Sequence, residues 1–214
     1  MSAPASVLLD PREEEFFDSE RAADILRLMP WTCRFGLHSA IEKAGYPGTC
    51  ALPALQSVLA FAALKLSDIR RYGADDLWCI DRGPGPFVGL NVPPRTASLS
   101  AYADLTTRAM HPRLLGFLAA IWTAKGLVRE SANLDLATLP RWGDDKTLQK
   151  HRSGTRGRSL VGLSTALAQD PDSGILFNGD ANVRHSTSDC AALQFLAFSR
   201  RHGTDLRHLP FDSC

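Results

Sequence analysis

Apolar residues recur at helical spacing over the first part of the chain and at two-residue spacing over the last. In "LPALQSVLAFAALKL", Leu52, Leu55, Val58, Leu59, Ala62 and Leu66 fall on one helical face. "SDIRRYGADDLW" reads as a second helix, with Ser67 as its N-cap and a break at Gly73. "RGPGPFVGLNVPPRT" is dense in glycine and proline and reads as a loop. It lacks G-x-G-x-x-G, so it is a poor phosphate cradle. "SLSAYADLTTRAM" and "HPRLLGFLAAIWTAKG" follow as two helices, Pro112 suiting a first helical position and Gly126 a C-cap.

From about Asn133 the period changes. "NLDLATLP" alternates, with Asn133, Asp135 and Ala137 on one face and Leu134, Leu136 and Thr138 on the other. "SLVGLSTALAQD" is a second strand ended by the turn "DPDSG", and "GILFNGDANVRH" is a third. "STSDCAALQFLAFSRRHG" reads as a helix capped by Ser188 and stopped at Gly203, burying Leu193, Leu196 and Phe195 or Phe198. "LRHLPFDSC" begins a further strand. The order predicts an α+β fold: a helical N-terminal region, then a mixed sheet with a crossover helix on one face.

Three stretches follow from this reading. Residues 1–24 carry seven acids against two arginines and are expected to be a mobile acidic leader. Residues 25–130 form a helical region suited to DNA binding or dimerisation, and residues 131–214 carry the sheet. In the helical region, "LKLSDIRRYGADDL" offers Lys65, Arg70 and Arg71 to a DNA-reading helix, but Asp75 and Asp76 repel phosphate.

With 214 residues, 44% of them hydrophobic, the chain can bury a core in one large or two small domains. Its net charge of +1 names no partner. Locally, Lys146, Lys150, Arg152, Arg156 and Arg158 stand together without an acid. This is either a phosphate-binding strip or a solvated turn, and Arg184 and His185 close the third strand on residues that could join it. Five cysteines without a C-x-x-C signal neither a disulfide framework nor a zinc knuckle, and the odd count suits a reducing cytosol. The run Leu52 to Leu66 is shorter than the ~20 residues a spanning helix needs. No signal-peptide pattern opens the chain. A cytoplasmic protein without membrane contact is expected.

The aspartates are the candidate chemistry. Asp135 lies mid-strand, and Asp212 follows the apolar Phe211 in the closing strand. A carboxylate drawn out of water is costly unless paired or bound to a cation. Two brought together repel unless a divalent ion lies between them. Hard oxygen donors suit Mg2+ or Mn2+. The plain alternative is that each faces solvent or caps a turn. Asp144, Asp145 and Asp170 read as turn residues bonded to their own backbone, and Asp180 as a turn or bulge residue. The histidines form no H-x-x-x-H pair, and G-x-S-x-G is absent.

Taken together, "NLDLATLPRWGDDKTLQKHRSGTRGRSLVGLSTALAQDPDSGILFNGDANVRH" and "LPFDSC" resemble the catalytic core of DDE transposases of bacterial insertion sequences, whose fold is ribonuclease-H-like. The similar elements are the "D-x-x-T-L-P-x-x-G-D" strand and turn, the basic turn, "L-A-Q-D", "G-D-A-N-V-R" and a closing "F-D-S". "FVGLNVPPRTASLSAYADL" resembles the segment leading into that core, so the likeness covers most of the chain from Leu52.

The resemblance implies that Asp135 and Asp212 are the first two metal-binding catalytic aspartates, holding Mg2+ or Mn2+. It implies DNA transposition by phosphodiester hydrolysis and strand transfer, with water and then a DNA 3′-hydroxyl as nucleophile. Partners would be transposon ends, and a second copy or a full-length transposase. Lys146, Lys150, Arg152, Arg156, Arg158 and Arg184 would contact DNA. The family's third acid, a glutamate on a later helix, has no counterpart before Cys214, so an incomplete transposase, inactive alone, is expected. The competing expectation is a non-catalytic DNA-binding or oligomerising fragment that modulates a full-length enzyme.

Overall fold

A computed structural model describes residues 25–67, 79, 84–141, 148–153 and 157–211. The chain divides into two compact units, Met1–Thr107 and Arg108–Cys214. The helical region expected to run to residue 130 is thus divided, its last helix falling in the same unit as the sheet.

The described residues of the first unit form helices α1 (Met29–Arg34), α2 (Leu37–Ala44), α3 (Ala54–Leu66), α4 (Pro84–Val88) and α5 (Thr96–Leu105). Gly36 and Gly45 bracket α2 with φ of 75° and 78°, a conformation that costs glycine little and lets the chain enter and leave the helix sharply. Helix α3 buries Ser57, Leu59, Ala60, Ala63 and Leu64. The expected face holds at Leu59 and is otherwise rotated: Leu66 is exposed, while Leu64 and the small Ser57, Ala60 and Ala63 are buried. Small residues let neighbouring backbone come close, which outweighs the larger apolar area of the leucines.

One sequence expectation fails here. The stretch expected as a loop contains α4, whose Pro84, Gly85, Phe87 and Val88 are all buried. Its entry is so tight that a Cβ on Gly85 would lie 2.7 Å from the Leu90 carbonyl oxygen. Ser67, expected as the N-cap of a following helix, closes α3: its amide and hydroxyl both donate to the Ala63 carbonyl at 2.9 Å. The rest of that proposed helix, Arg70, Arg71, Asp75 and Asp76 included, lies outside the described residues, as does the leader 1–24. Among the described residues no helix is long and apolar enough to cross a membrane.

The second unit holds α6 (Met110–Ala124), β1 (Asn133–Pro140), β2 (Gln149–Ser153), β3 (Arg158–Gln169), β4 (Leu176–Val183), a 3-10 turn (His185–Cys190) and α7 (Ala191–Arg201). It is an α+β arrangement with an open antiparallel sheet. Strand β3 is central. On one edge it pairs with β1, from Asn133↔Gln169 to Pro140↔Gly162. On the other it pairs first with β2 and then with β4. Strand β2 was not expected. The basic stretch read as a turn instead makes a hairpin with the start of β3, because Gln149–Ser153 finds unpaired backbone there.

After α7 the chain returns to the free edge of β1. The Glu130 carbonyl accepts the amides of Arg207 (2.7 Å) and His208 (3.2 Å), and the amides of Ala132 and Leu134 donate to His208 and Pro210. The contact is two parallel bridges, Ser131↔His208 and Leu134↔Phe211, rather than a continuous strand. Pro210 supplies no N–H, which suits an edge position.

The core of this unit lies between sheet and helices. Leu134, Ala166, Ala168, Phe177 and Val183 meet Ala119 of α6 and Ala191 and Phe195 of α7. The Phe177 and Phe195 rings stand 5.6 Å apart, tilted by 55°. Leu193, expected inside, is 66% exposed. The buried stripe of α7 is Ala191, Phe195 and Ser199, because small residues one turn either side of Phe195 let that ring reach Phe177.

Gly162 allows the closest strand approach: a Cβ there would collide with the Leu139 carbonyl across the β1–β3 ladder. Gly162→Ala is expected to cost ~2–3 kcal/mol, since backbone cannot yield without losing ladder bonds. At Gly179 the nearest atom, at 3.3 Å, is the mobile tip of Leu167, so Gly179→Ala should cost under ~1 kcal/mol. Urea denaturation of the two variants measures the contrast.

Candidate functional site

Strand β1 alternates as its sequence predicts. Leu134 is buried and Leu136 packs on the core, while Asn133 and Asp135 are exposed on the opposite face. Asp135 stands across from Leu167 of β3. The strand fixes its backbone, yet its carboxylate is in water rather than partly buried as the sequence suggested. The reason is that the helices cover the other face of the sheet.

The residue that should accompany it, Asp212, lies outside the described residues. The described chain leading to it does bear on the pairing. Ser131↔His208 and Leu134↔Phe211 share one sequence offset, and the same offset separates Asp135 from Asp212. Among the described residues no group of three or more His, Cys, Asp or Glu side chains could hold a metal ion.

Of the basic residues, Lys146 and Arg156 lie outside the described residues, and of Arg152 and Arg158 only the backbone is described. Lys150 and Arg184 are both exposed. His185, which follows Arg184, joins the end of β4 to β2. The His185 amide donates to Gln149 Oε1 at 3.0 Å, and its Nε2 lies 2.8 Å from the Lys150 carbonyl oxygen. A carbonyl only accepts, so Nε2 carries the proton in that bond.

The His185 ring stacks on His151, centroids 4.5 Å apart and planes at 29°. His151 is buried. Burial pushes its pKa down, and the His185 ring pushes it further the same way. Sequence reasoning missed this pair because it sought histidines one helical turn apart. The alternation in "QKHRS" hinted at an inward His151, but only strand register brings His185 to it.

The other aspartates separate cleanly. Asp170 has no exposed surface. It accepts the amides of Arg129 (2.8 Å), Asp172 (3.0 Å) and Ser173 (2.8 Å) and the Ser173 hydroxyl (3.1 Å). Burial alone would push its pKa up, but those bonds hold the carboxyl below its ordinary value. It is a turn residue, as expected. Asp180 lies in β4 opposite Ala166, beside an irregularity in register, and pairs with Arg108 at 3.0 Å. Both partners are well exposed, so this ion pair adds little stability. Asp144 and Asp145 lie outside the described residues. A cleft of about 170 Å³ is lined by Arg108, Leu134, Ala166, Asn178, Asp180 and Phe195. Leu134 and Ala166 place it on the helix side of the sheet, so Asp135 does not face it.

No protein-family model matches the chain, and neither the curated proteins nor the solved structures provide a match.

Proposed function

We propose that the chain is a DDE-type transposase polypeptide that binds DNA in the cytoplasm, with Asp135 and Asp212 as carboxylate ligands in a ribonuclease-H-like core. The observation that carries this reading is the register at the free edge of β1. The segment after α7 runs parallel to β1 with the offset that separates the two aspartates. It is the order the transposase likeness implies: the first aspartate on the first core strand, the second on the strand after the first core helix.

The donor set fits a divalent ion. Aspartate oxygens are the hard donors that Mg2+ and Mn2+ take, and the exposure of Asp135 leaves room for water and phosphate oxygens. Such an ion, when bound, supplies Lewis acidity and activates the attacking oxygen. The chain's own part is to hold one carboxylate at a fixed height on a strand, which positions a ligand better than a loop does. Lys150 and Arg184 offer exposed charge to the phosphate backbone.

A second reading, a non-catalytic DNA-binding fragment that modulates a full-length transposase, rests on those two cations alone. The experiment separates the readings. Duplex binding is expected to weaken about 40-fold between ~50 and ~200 mM salt if some three phosphates are met. Asp135→Asn should leave duplex binding intact and weaken Mn2+ binding by the chain at least ~10-fold. Salt-sensitive duplex binding by a chain that takes up no Mn2+ supports the second reading, and absence of duplex binding removes both.

A further inference from the structure

We infer that His151, His185 and Arg184 form a phosphate-binding station in which the histidine pair takes up a proton as the phosphate arrives. The inference rests on the DNA-binding reading above and names the groups that would meet the backbone.

The geometry makes the pair poor at holding a second charge by itself. The rings stack at 4.5 Å, so two imidazolium ions would face one another at contact distance. With the His185 Nε2 proton committed to the Lys150 carbonyl, its Nδ1 is the nitrogen left to gain one. The surrounding charge has the same sign. Arg184 precedes the 3-10 turn and lines a cleft with His151. The acids on the packed elements are Asp180 of β4, occupied by Arg108, and Asp189 of the 3-10 turn, which lies 3.5 Å from the Ser188 hydroxyl. Among the described residues, no ion pair engages Arg184.

A shallow cleft beside the pair is lined by Gln149, His151, Ser164 and Arg184, which bring an amide, a ring nitrogen, a hydroxyl and a guanidinium together. The cleft, at about 10 Å³, holds no more than a water, so a tetrahedral oxyanion would meet that set at its mouth. It accepts from every one of these donors, and its charge offsets the repulsion that resists protonation. The sign follows directly. A histidine pair stabilised in its charged form by the bound phosphate binds more tightly below the histidine pKa, and loses that advantage as pH rises through it. The phosphodiester itself does not titrate in this range, so the dependence belongs to the protein.

The test uses the whole chain in two arms. Duplex affinity is measured at pH 5.5 and 7.5 at fixed salt, and histidine ring resonances are titrated with and without sulfate, whose charge is constant over that range. Affinity is expected to be ~10-fold tighter at pH 5.5, falling to within ~2-fold in His185→Gln, and sulfate should raise the midpoint of His151. Glutamine can still donate to the Lys150 carbonyl, and circular dichroism checks that the variant folds. Salt-sensitive DNA binding that is equal at both pH values, or a pH dependence that survives His185→Gln, overturns the station while leaving the DNA reading intact. A midpoint that moves with sulfate in a chain that ignores duplex DNA keeps the station for a free oxyanion and removes the DNA reading. Failure of both arms removes both.

Discussion

Phe177→Ala is expected to destabilise the second unit by ~3–5 kcal/mol, the usual range for removing a buried aromatic ring. Phe177 has no exposed surface and meets Phe195 at 5.6 Å, where sheet and α7 come together. Alanine would leave a cavity that neighbouring backbone in β3 cannot fill, because its ladder bonds to β1 and β4 fix it. For a unit of this size the midpoint of thermal unfolding should fall by more than ~10 °C. Leu176 is the control. It is the preceding residue, 51% exposed, and Leu176→Ala should cost no more than ~0.5 kcal/mol. Thermal and urea unfolding of the two variants check the alternation of β4. Equal losses would mean that the strand does not present Phe177 inward.

Asp170→Ala is expected to cost ~3 kcal/mol at neutral pH, for a different reason. The carboxylate is the acceptor for three backbone amides and one hydroxyl in the turn between β3 and β4. Removing it leaves those donors without their partner, and the penalty is their desolvation rather than lost apolar contact. The exposed Arg129–Asp172 pair, at 3.5 Å, cannot compensate. The effect should depend on pH. The folded carboxyl lies below its ordinary value, so its contribution is fully present above the unfolded pKa of ~3.9 and is lost as pH falls through the folded one. The stability gap between the parent and Asp170→Asn should therefore narrow on acidification from pH 7 toward pH 3. Chemical denaturation at the two ends measures it, and a gap that widens would show that Asp170 is not held ionised by those bonds.

Strands β1, β3 and β4 were legible because their signal is local. "NLDLATLP" alternates, and the observed β1 covers those residues with Leu134 inward and Asp135 outward. "DPDSG" announced the turn that Asp170 organises, since a short side-chain carboxylate bonds backbone amides two and three residues on. Helix faces were less legible. On α3 and α7 the large leucines suggested one face, yet Leu66 and Leu193 are exposed and the stripes of alanine and serine are buried. Periodicity counts apolar area but does not know how closely a neighbour approaches. Helix α4 was hidden for a related reason: proline and glycine argue for a loop, but proline fits a helix start and Gly85 permits contact with the Leu90 backbone.

The residue alternation along β1 and the turn at Asp170 were determined by the sequence alone, because each depends on a few consecutive side chains and their own backbone. Tertiary structure decided which residues meet. It brought the segment ending at Phe211 parallel to β1, turned part of the basic stretch into β2, and laid His185 on His151 beside Lys150. Those pairings join distant parts of the chain through strand register and core packing, and a register is set only once both partners have folded onto the same sheet.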